Sequence, residues 1–384
     1  MKFLETYRPI VGDEEINLVS KVARSRWLSS GKLTNEFEKK IAKKIGAKNI
    51  IAVNSCTSGI DTILNVLNLK KGDEVITTLL TYISTINNIY NHGLKIKFID
   101  VNIDDYTISL DELKKNITKK TKLILVNHFS GIPSRIDKIE KIIKNKKINI
   151  VEDAATSFGS KIGNKNIGSF KKSISVFSLQ ANKIITTGEG GFISLRNQKL
   201  AKKIREYINC GFSQTSWQRH SKINKSDVKI SGKKYNFTDI GAAFGLAQLK
   251  KYQKLVSYRI KLRHIYNKEF LNLENKNYLR VYKPNNDIKL SQYNYVILIN
   301  GNKFKNLRDK LRNYLNKKNI GTTLHYITAD KTSFYKKRLN FKNLKNSKFI
   351  NDNIISIPFH NDMKIQDVYK VTKEINKFFK KFNN

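Results

Sequence analysis

The sequence contains few cysteines and no long apolar run. Its two cysteines, Cys56 and Cys210, do not make a disulfide framework among 384 residues, so we expect a reducing compartment. The first six residues lack the apolar region of a signal peptide, and no run of about 18 uncharged apolar residues occurs. These absences predict a cytoplasmic protein with no membrane partner.

Signatures of several ligand classes are also missing. With two cysteines and scattered histidines, we expect no metal. No simple dinucleotide fingerprint occurs. No helix-turn-helix, zinc-knuckle or stacking-platform signature accompanies the basic residues.

Acidic residues are scarce beside basic ones, since 31 Asp and Glu face 73 Lys and Arg for a formal net charge of +42. Such a charge ordinarily favours nucleic acid or an anionic surface. Here the lysines are spread through every segment and Asn and Ile are also plentiful, which indicates a bias toward AT-rich codons instead of one basic face. We therefore predict no nucleic-acid partner and keep a basic, non-catalytic nucleic-acid-binding regulator as an alternative. The positive surface would steer anionic substrates inward.

Strand-length apolar runs alternate with helical patterns in the first 250 residues. The predicted strands cover residues 50–53, 73–76, 94–100, 122–126, 149–151 and 174–177. The predicted helices cover residues 13–22, 35–45, 60–69, 111–117, 136–144 and 202–208, and residues 209–232 read as a long polar connection. This alternation predicts an α/β fold with a largely parallel sheet covered by helices.

Past residue 250 the pattern changes. Helices are predicted over residues 242–255, 258–271, 303–317 and 365–379, and strands over 293–298 and 322–326. A chain of this length also predicts two or so lobes. We expect a large domain of residues 1–250, whose N-terminal segment lines the active site, and a smaller C-terminal α/β domain of residues 251–384.

Lys183 stands between a short apolar strand and a glycine-rich turn. Gly188, Gly190 and Gly191 follow it and permit positive backbone angles and close approach. A lysine in such a walled pocket has a lowered pKa and becomes a nucleophile toward a carbonyl, as in enzymes that hold pyridoxal phosphate. We predict that Lys183 does the chemistry.

Asp153 is the candidate acidic partner of this lysine. Glu152 and Asp153 follow the predicted strand 149–151 directly, and the carboxyl ends of strands in α/β sheets bind ligands. An aspartate there can hold the proton on a pyridine nitrogen, which keeps the ring electron-withdrawing.

A phosphate seat is predicted where the strand 50–53 meets the next helix. Small and hydroxyl residues at 54–59 place free N–H groups and the positive end of the helix dipole at one point. We assign the cofactor phosphate to this turn, with Thr57 and Ser58 as contacts. An ordinary helix N-cap would have the same spacing.

Taken together, these motifs resemble the DegT/DnrJ/EryC1/StrS family of pyridoxal-phosphate-dependent nucleotide-sugar aminotransferases. The resemblance runs nearly end to end, and the order and spacing of its segments carry it. Those segments are residues 27–31, 72–76, 121–122, 131–133, 152–155, 177–178, 183, 186–191, 235–239, 242–243, 248–249 and 325–326.

The resemblance implies a fold-type-I aminotransferase, with a mostly parallel seven-stranded sheet in its large lobe, that binds pyridoxal 5'-phosphate. It implies that Tyr82 stacks on the pyridine, that Thr156 lies beside the pyridine hydroxyl, and that Ser178 binds the phosphate. Asn236 would reach the phosphate of the neighbouring subunit, which requires a homodimer with shared active sites. Two residues depart from the family pattern: Cys56 replaces the usual glycine, and Thr156 replaces glutamine or histidine.

The resemblance also places residues at the substrate: Tyr7, Trp27, Ser29, Gly31, Arg219, His325 and Tyr326. Residues 217–219 are similar to a segment of aminotransferases that make 4-amino-4-deoxy-arabinose on a uridine carrier. Arg219 is therefore a candidate clamp for a carboxylate or phosphate, although a solvated surface arginine is the alternative. His128 matches a family histidine that either lines the pocket or is structural.

The implied reaction moves an amino group from L-glutamate, leaving 2-oxoglutarate, to a keto sugar on a nucleotide diphosphate. A 4-keto sugar on uridine diphosphate is favoured, within the biosynthesis of surface polysaccharides. Another pyridoxal-phosphate-dependent sugar-modifying enzyme, such as a dehydratase, is the alternative. Dehydratases of the family carry histidine in place of the lysine, so Lys183 argues against that alternative.

Overall fold

Thirteen strands appear in the computed structural model, which describes residues 3–214, 217, 219, 226–304 and 306–381. In chain order they are β1 (Asn49–Val53), β2 (Glu74–Thr78), β3 (Lys95–Ile99), β4 (Thr121–Asn127), β5 (Asn149–Asp153), β6 (Lys161–Ile162), β7 (Lys165–Asn166), β8 (Ser173–Ser178), β9 (Gly191–Leu195), β10 (Leu279–Val281), β11 (Ile288–Lys289), β12 (Tyr295–Ile299) and β13 (Ile354–Ile357).

Helices separate most of these strands. They cover Asp13–Ser25, Lys32–Ile45, Cys56–Val66, Ile83–Asn91, Leu110–Asn116, Ile136–Ile142, Gln198–Tyr207, Asp239–Asn275, Leu307–Lys317, Ser333–Lys336, Lys345–Asn353 and Ile365–Lys380. Two 3-10 turns cover Phe129–Gly131 and Ala329–Lys331. Among the described residues, no helix is long and apolar enough to cross a membrane.

The large sheet has seven strands in the order β1-β9-β8-β5-β4-β2-β3. Strand β9 runs antiparallel to both of its neighbours, and the other pairings are parallel. Leu123, Ile124, Leu125 and Val126 on β4 are fully buried, as expected of a strand covered by helices on both faces. The predicted α/β class with a mostly parallel sheet is confirmed.

A second sheet, β10-β12-β13, forms the centre of the C-terminal part of the chain. A further small sheet joins the two parts, because β11 pairs with β6. The long helix Asp239–Asn275 supplies buried side chains to both cores, with Leu246 in the first and Tyr266 in the second. The proposed boundary at residue 250 lies inside this helix and stays a prediction.

Two local predictions were wrong. The helices predicted over 242–255 and 258–271 form one continuous helix. Neither of the two residues between them, Val256 and Ser257, is a glycine or a proline that would end the helix, and Val256 is buried. Residues 322–326 do not form a strand, since only Thr323 makes an isolated bridge, to Ser356. Leu324, His325 and Tyr326, which follow Thr323, line a cavity instead of pairing with a neighbouring strand.

Candidate active site

The carboxyl ends of β5 and β8 open onto a cavity of about 400 Å³. The N-terminal segment, the turns of the large sheet and the C-terminal lobe all contribute side chains to its walls. Of the site residues predicted from the sequence, those that line it are Tyr7, Thr57, Tyr82, Asp153, Thr156, Ser178, Lys183, His325 and Tyr326. The predicted residues Ser58, Asn236, Trp27, Ser29, Gly31 and Arg219 are not among its lining residues.

Lys183 follows β8 and extends its amine into this cavity. Its Nζ donates to the Tyr293 hydroxyl at 3.4 Å and lies 4.5 Å from the centre of that ring. Burial of the amine lowers the pKa of Lys183 to about 8, although the nearby Cys56 and Asp153 groups partly oppose the shift. About a tenth of the amine is therefore neutral at pH 7, which is the form that attacks a carbonyl.

The lowered pKa of Lys183 leads to a prediction for chemical labelling of the chain without cofactor. Acetic anhydride reacts with the neutral amine, so the labelling rate should rise about tenfold per pH unit and level off near pH 8. Competitive labelling with peptide mass spectrometry measures the curve. The exposed Lys202 on the helix Gln198–Tyr207 is the internal reference, and coincident curves for the two lysines would contradict the prediction.

Asp153 ends β5 on the wall of the same cavity and is only 3% exposed. Its Oδ2 accepts hydrogen bonds from the Thr85 hydroxyl at 2.7 Å and from the Asn127 amide at 3.3 Å. Its Oδ1 accepts from the backbone N–H of Ala155 at 3.2 Å. Three donors therefore hold the carboxylate in one orientation, as a fixed anion requires.

The neighbouring carboxylate, Glu152, lies on the opposite face of the strand and is fully buried with His128. Their closest atoms, Oε2 and Nε2, are 2.7 Å apart. His128 Nδ1 accepts from the backbone N–H of Ser134 at 2.9 Å, so Nε2 carries the proton and donates to Glu152. The hydroxyls of Ser173 and Ser175 donate to the other carboxylate oxygen. His128 is therefore structural and does not line the cavity.

The predicted phosphate seat lies at the start of the helix Cys56–Val66. Ser55, Cys56 and Thr57 line the cavity there, and the Ser55 hydroxyl caps the helix by accepting from the N–H of Ser58 at 3.0 Å. The Ser58 hydroxyl donates to Asn54 Oδ1 at 2.5 Å. Ser58 thus stabilises the turn through its own hydrogen bonds, and its contact with the phosphate stays a prediction.

Thr156 lines the cavity, but its only hydroxyl proton is already used. Its Oγ1 donates to the backbone carbonyl of His128 at 2.7 Å and accepts from the N–H of Gly131 at 3.0 Å. It therefore has no proton to donate to a pyridine hydroxyl. Asn182, which the sequence argument missed, also lines the cavity, and its buried Oδ1 has no partner among the described residues.

Tyr7 and His325 join the N-terminal segment to the C-terminal lobe at the cavity. The Tyr7 hydroxyl lies 2.9 Å from His325 Nε2, and the Ser356 hydroxyl lies 2.7 Å from Nδ1. Burial, together with the charge of Lys183, lowers the pKa of His325 to about 3. Its ring is consequently neutral at physiological pH and adds no positive charge to the site.

Trp27, Ser29 and Gly31 pack around the start of the long helix. The N–H of Gly31 donates to Asp239 Oδ1 at 2.8 Å, and the Ser29 carbonyl accepts from the N–H of Asp239 at 3.2 Å. A Cβ at position 31 would lie 2.4 Å from Trp27 Nε1, so only glycine fits there. The Trp27 ring contacts Trp217 edge-on at 4.8 Å.

Arg219 and Asn236 do not line the cavity. Arg219 donates to the backbone carbonyl of Gln214 at 2.7 Å and stacks over Phe212. The Asn236 amide donates to Asn209 Oδ1 at 3.4 Å. Of the long predicted connection, residues 215, 216, 218 and 220–225 lie outside the described residues.

Comparison with known proteins gives consistent matches over nearly the whole chain. The profile of the DegT/DnrJ/EryC1/StrS aminotransferase family matches residues 9–376. The uncharacterised protein MJ1066 of Methanocaldococcus jannaschii is 37% identical over 379 residues, which cover 98% of this chain and 97% of that protein.

Two solved structures are similar in fold. Helicobacter pylori PseC, an aminotransferase involved in the biosynthesis of pseudoaminic acid, superimposes with a TM-score of 0.92 and 26% identity over 99% of this chain and 100% of its own. The pyridoxal-phosphate form of Spr1654 from Streptococcus pneumoniae has a TM-score of 0.89 and 24% identity over 100% of both chains.

Proposed function

The chain belongs to the DegT/DnrJ/EryC1/StrS aminotransferase family as a pyridoxal-phosphate-dependent sugar aminotransferase, and from this premise we propose that L-glutamate and a 4-keto sugar on uridine diphosphate are its substrates. The family and cofactor predicted from the sequence are confirmed. The choice of donor rests on the resemblance. The choice of a 4-keto sugar on uridine diphosphate rests on two sequence segments, one around residue 217 and one after residue 235. We propose surface-polysaccharide biosynthesis as the setting of this reaction.

The side chains in the cavity suit pyridoxal phosphate. The helix start at Cys56 and Thr57, with the nearby Ser178 hydroxyl, suits the phosphate, because helix N-termini bind anions. The carboxyl group of Asp153 suits the ring nitrogen of the cofactor, and the amine of Lys183 suits its aldehyde group. When bound, the cofactor supplies an electron sink that stabilises negative charge on the reacting carbon.

The chain itself supplies the acid–base chemistry. The neutral Nζ of Lys183 would hold the cofactor. In its free form the amine would take the proton from the donor carbon that bears the amino group and would deliver a proton to the keto carbon of the acceptor sugar. The Asp153 carboxyl group, held in place by three hydrogen-bond donors, would accept a hydrogen bond from the ring nitrogen and favour its protonated form. The rings of Tyr82 and Tyr326, with centres 5.9 Å apart, both line the cavity.

The observation that carries this proposal is that Lys183 and Asp153 line one cavity. A lysine at position 183 also supports amino transfer over the dehydration carried out by family members with histidine there. The function of a non-catalytic nucleic-acid-binding regulator is set aside, because the chain is an enzyme of this family.

The substrate proposal is tested by incubating the holoenzyme with L-glutamate and a panel of keto sugars. The panel should pair 3-keto and 4-keto sugars and vary the nucleotide among uridine, thymidine and guanosine. We expect 2-oxoglutarate and an amino sugar, seen by mass spectrometry, with the uridine-linked 4-keto sugar. Turnover confined to another nucleotide or to 3-keto sugars would contradict the proposal, as would a dehydrated product.

We also propose a homodimer in which Asn236 serves the site of the other subunit. The position of Asn236 outside its own cavity supports this arrangement. Mixing inactive Lys183→Ala with inactive Asn236→Ala chains should restore about a quarter of the activity, since each mixed dimer then contains one intact site. No recovery after subunit exchange would contradict sharing of the site through Asn236.

A further inference from the structure

Tyr293 contacts the reactive amine from the C-terminal lobe, 110 residues away in sequence. The Lys183 Nζ lies over the ring face, 4.5 Å from its centre, which is within the range of a cation–π contact. The same Nζ donates to the Tyr293 hydroxyl at 3.4 Å. The ring face and the hydroxyl of Tyr293 therefore both contact the amine of Lys183.

The surroundings of Tyr293 hold its ring in this position. It is 2% exposed, its ring stacks on Tyr7 at 5.8 Å, and His325 contacts it edge-on at 5.9 Å. Arg259, buried on the long helix, donates to the backbone carbonyl of Tyr293 at 2.7 Å and to that of Gln292 at 3.1 Å. These contacts hold the ring of Tyr293 beside Lys183.

The hydroxyl of Tyr293 keeps its proton. Burial raises the pKa of Tyr293, while hydrogen bonding with Tyr7 and the charge of Arg259 only partly oppose the shift. At physiological pH Tyr293 therefore does not act as a base toward Lys183. The hydroxyl can accept a hydrogen bond from the amine and thereby fix its direction.

We propose that Tyr293 is a positioning residue that holds the amine of Lys183 whenever the lysine is not bound to the cofactor. A free lysine side chain has large rotamer freedom, and ordering it near the substrate carbon aids proton transfer. The ring face also attracts the ammonium form and so opposes the effect of burial. The kinetic part of this proposal rests on the amino-transfer function, whereas the part that concerns the ionisation of Lys183 does not.

The effect of the Tyr293 ring on the ionisation of Lys183 is tested with the variant Tyr293→Leu, in the full chain without cofactor. Loss of the aromatic face should lower the pH midpoint of acetic anhydride labelling at Lys183 by about 0.5 to 1 pH unit. Tyr293→Phe keeps the face and should leave the midpoint within about 0.3 pH unit. Tyr295→Phe, which removes the hydroxyl of a buried tyrosine two residues away that bonds to Asn267, is the matched control and should change nothing.

The hydroxyl is tested by the kinetics of the holoenzyme variants. We expect kcat to fall about 3- to 10-fold in Tyr293→Phe and about 10- to 100-fold in Tyr293→Leu, with KM for the amino donor changed less than about twofold. Tyr295→Phe should keep the wild-type kcat.

Two results would overturn the proposal. An unchanged labelling midpoint in folded Tyr293→Leu would exclude the role of the ring, and a wild-type kcat in Tyr293→Phe would exclude that of the hydroxyl. Tyr293→Met, whose unbranched side chain adapts to irregular core space, replaces Tyr293→Leu in the same measurement should the latter not fold. Absence of amino transfer in the wild type would refute the proposed reaction and leave the labelling result standing.

Discussion

Replacing Lys183 with alanine is expected to abolish amino transfer, with kcat reduced at least about 10⁴-fold. The variant loses both the nucleophile that holds the cofactor and the group that moves the proton. Steady-state assays with the best keto sugar measure the loss. Lys202→Ala removes an exposed lysine and should keep wild-type activity. Retained turnover above about 1% in Lys183→Ala would contradict the assigned role.

The fold of Lys183→Ala should remain intact. The folded-state pKa of about 8 lies below the ordinary value for lysine, so burial disfavours the protonated amine in the folded chain. This unfavourable effect is fully present below pH 8 and disappears as the pH rises toward the ordinary pKa. Without cofactor, the alanine variant should therefore melt no lower than the wild type at pH 7, as differential scanning calorimetry would show.

Replacing Asp153 with asparagine is expected to lower kcat about 10²- to 10³-fold, the second largest effect. A neutral amide cannot stabilise a protonated ring nitrogen. Both carboxylate oxygens accept hydrogen bonds, so the NH₂ group of asparagine would face a donor in either orientation and leave a buried donor unsatisfied. Steady-state kinetics, with cofactor content measured by absorbance, separates slower chemistry from cofactor loss.

Asp352→Asn is the control for this substitution, because Asp352 is exposed and forms a surface ion pair with Lys331 at 3.1 Å. It should leave both kcat and cofactor content unchanged. Wild-type kcat in a cofactor-loaded Asp153→Asn would contradict the role of the carboxylate.

Local patterns in the sequence were sufficient to predict the meeting of Lys183 and Asp153. Each residue follows an apolar strand, and β5 and β8 are parallel neighbours, so their carboxyl ends lie side by side. The difference between Glu152 and Asp153 follows from the same strand, since successive side chains point to opposite faces. Glu152 thus pairs with buried His128 while Asp153 faces the cavity.

Contacts between residues that are far apart in the sequence could not be predicted from local patterns. The sequence pattern predicts a strand over 293–298, which includes Tyr293, yet β12 begins at Tyr295. Such a local pattern does not show which distant residue the ring of Tyr293 will contact. The residue types in the loop at 27–31, which include two serines, are typical of a substrate-binding loop. In the structure, Gly31 lies close to Trp27 and Asp239, and this part of the loop packs around the start of a helix. Such packing depends on Asp239, more than 200 residues away.

The 37-residue helix Asp239–Asn275 is about 55 Å long by its rise per residue, and it has no glycine or proline after Gly245. Because its first turns are buried in one core and its last turns in the other, neither lobe can melt while the other keeps its full set of contacts. Heating should therefore give one cooperative transition for the whole chain. A ligand in the cavity would then raise the melting temperature of the distant C-terminal helix as much as that of the large sheet.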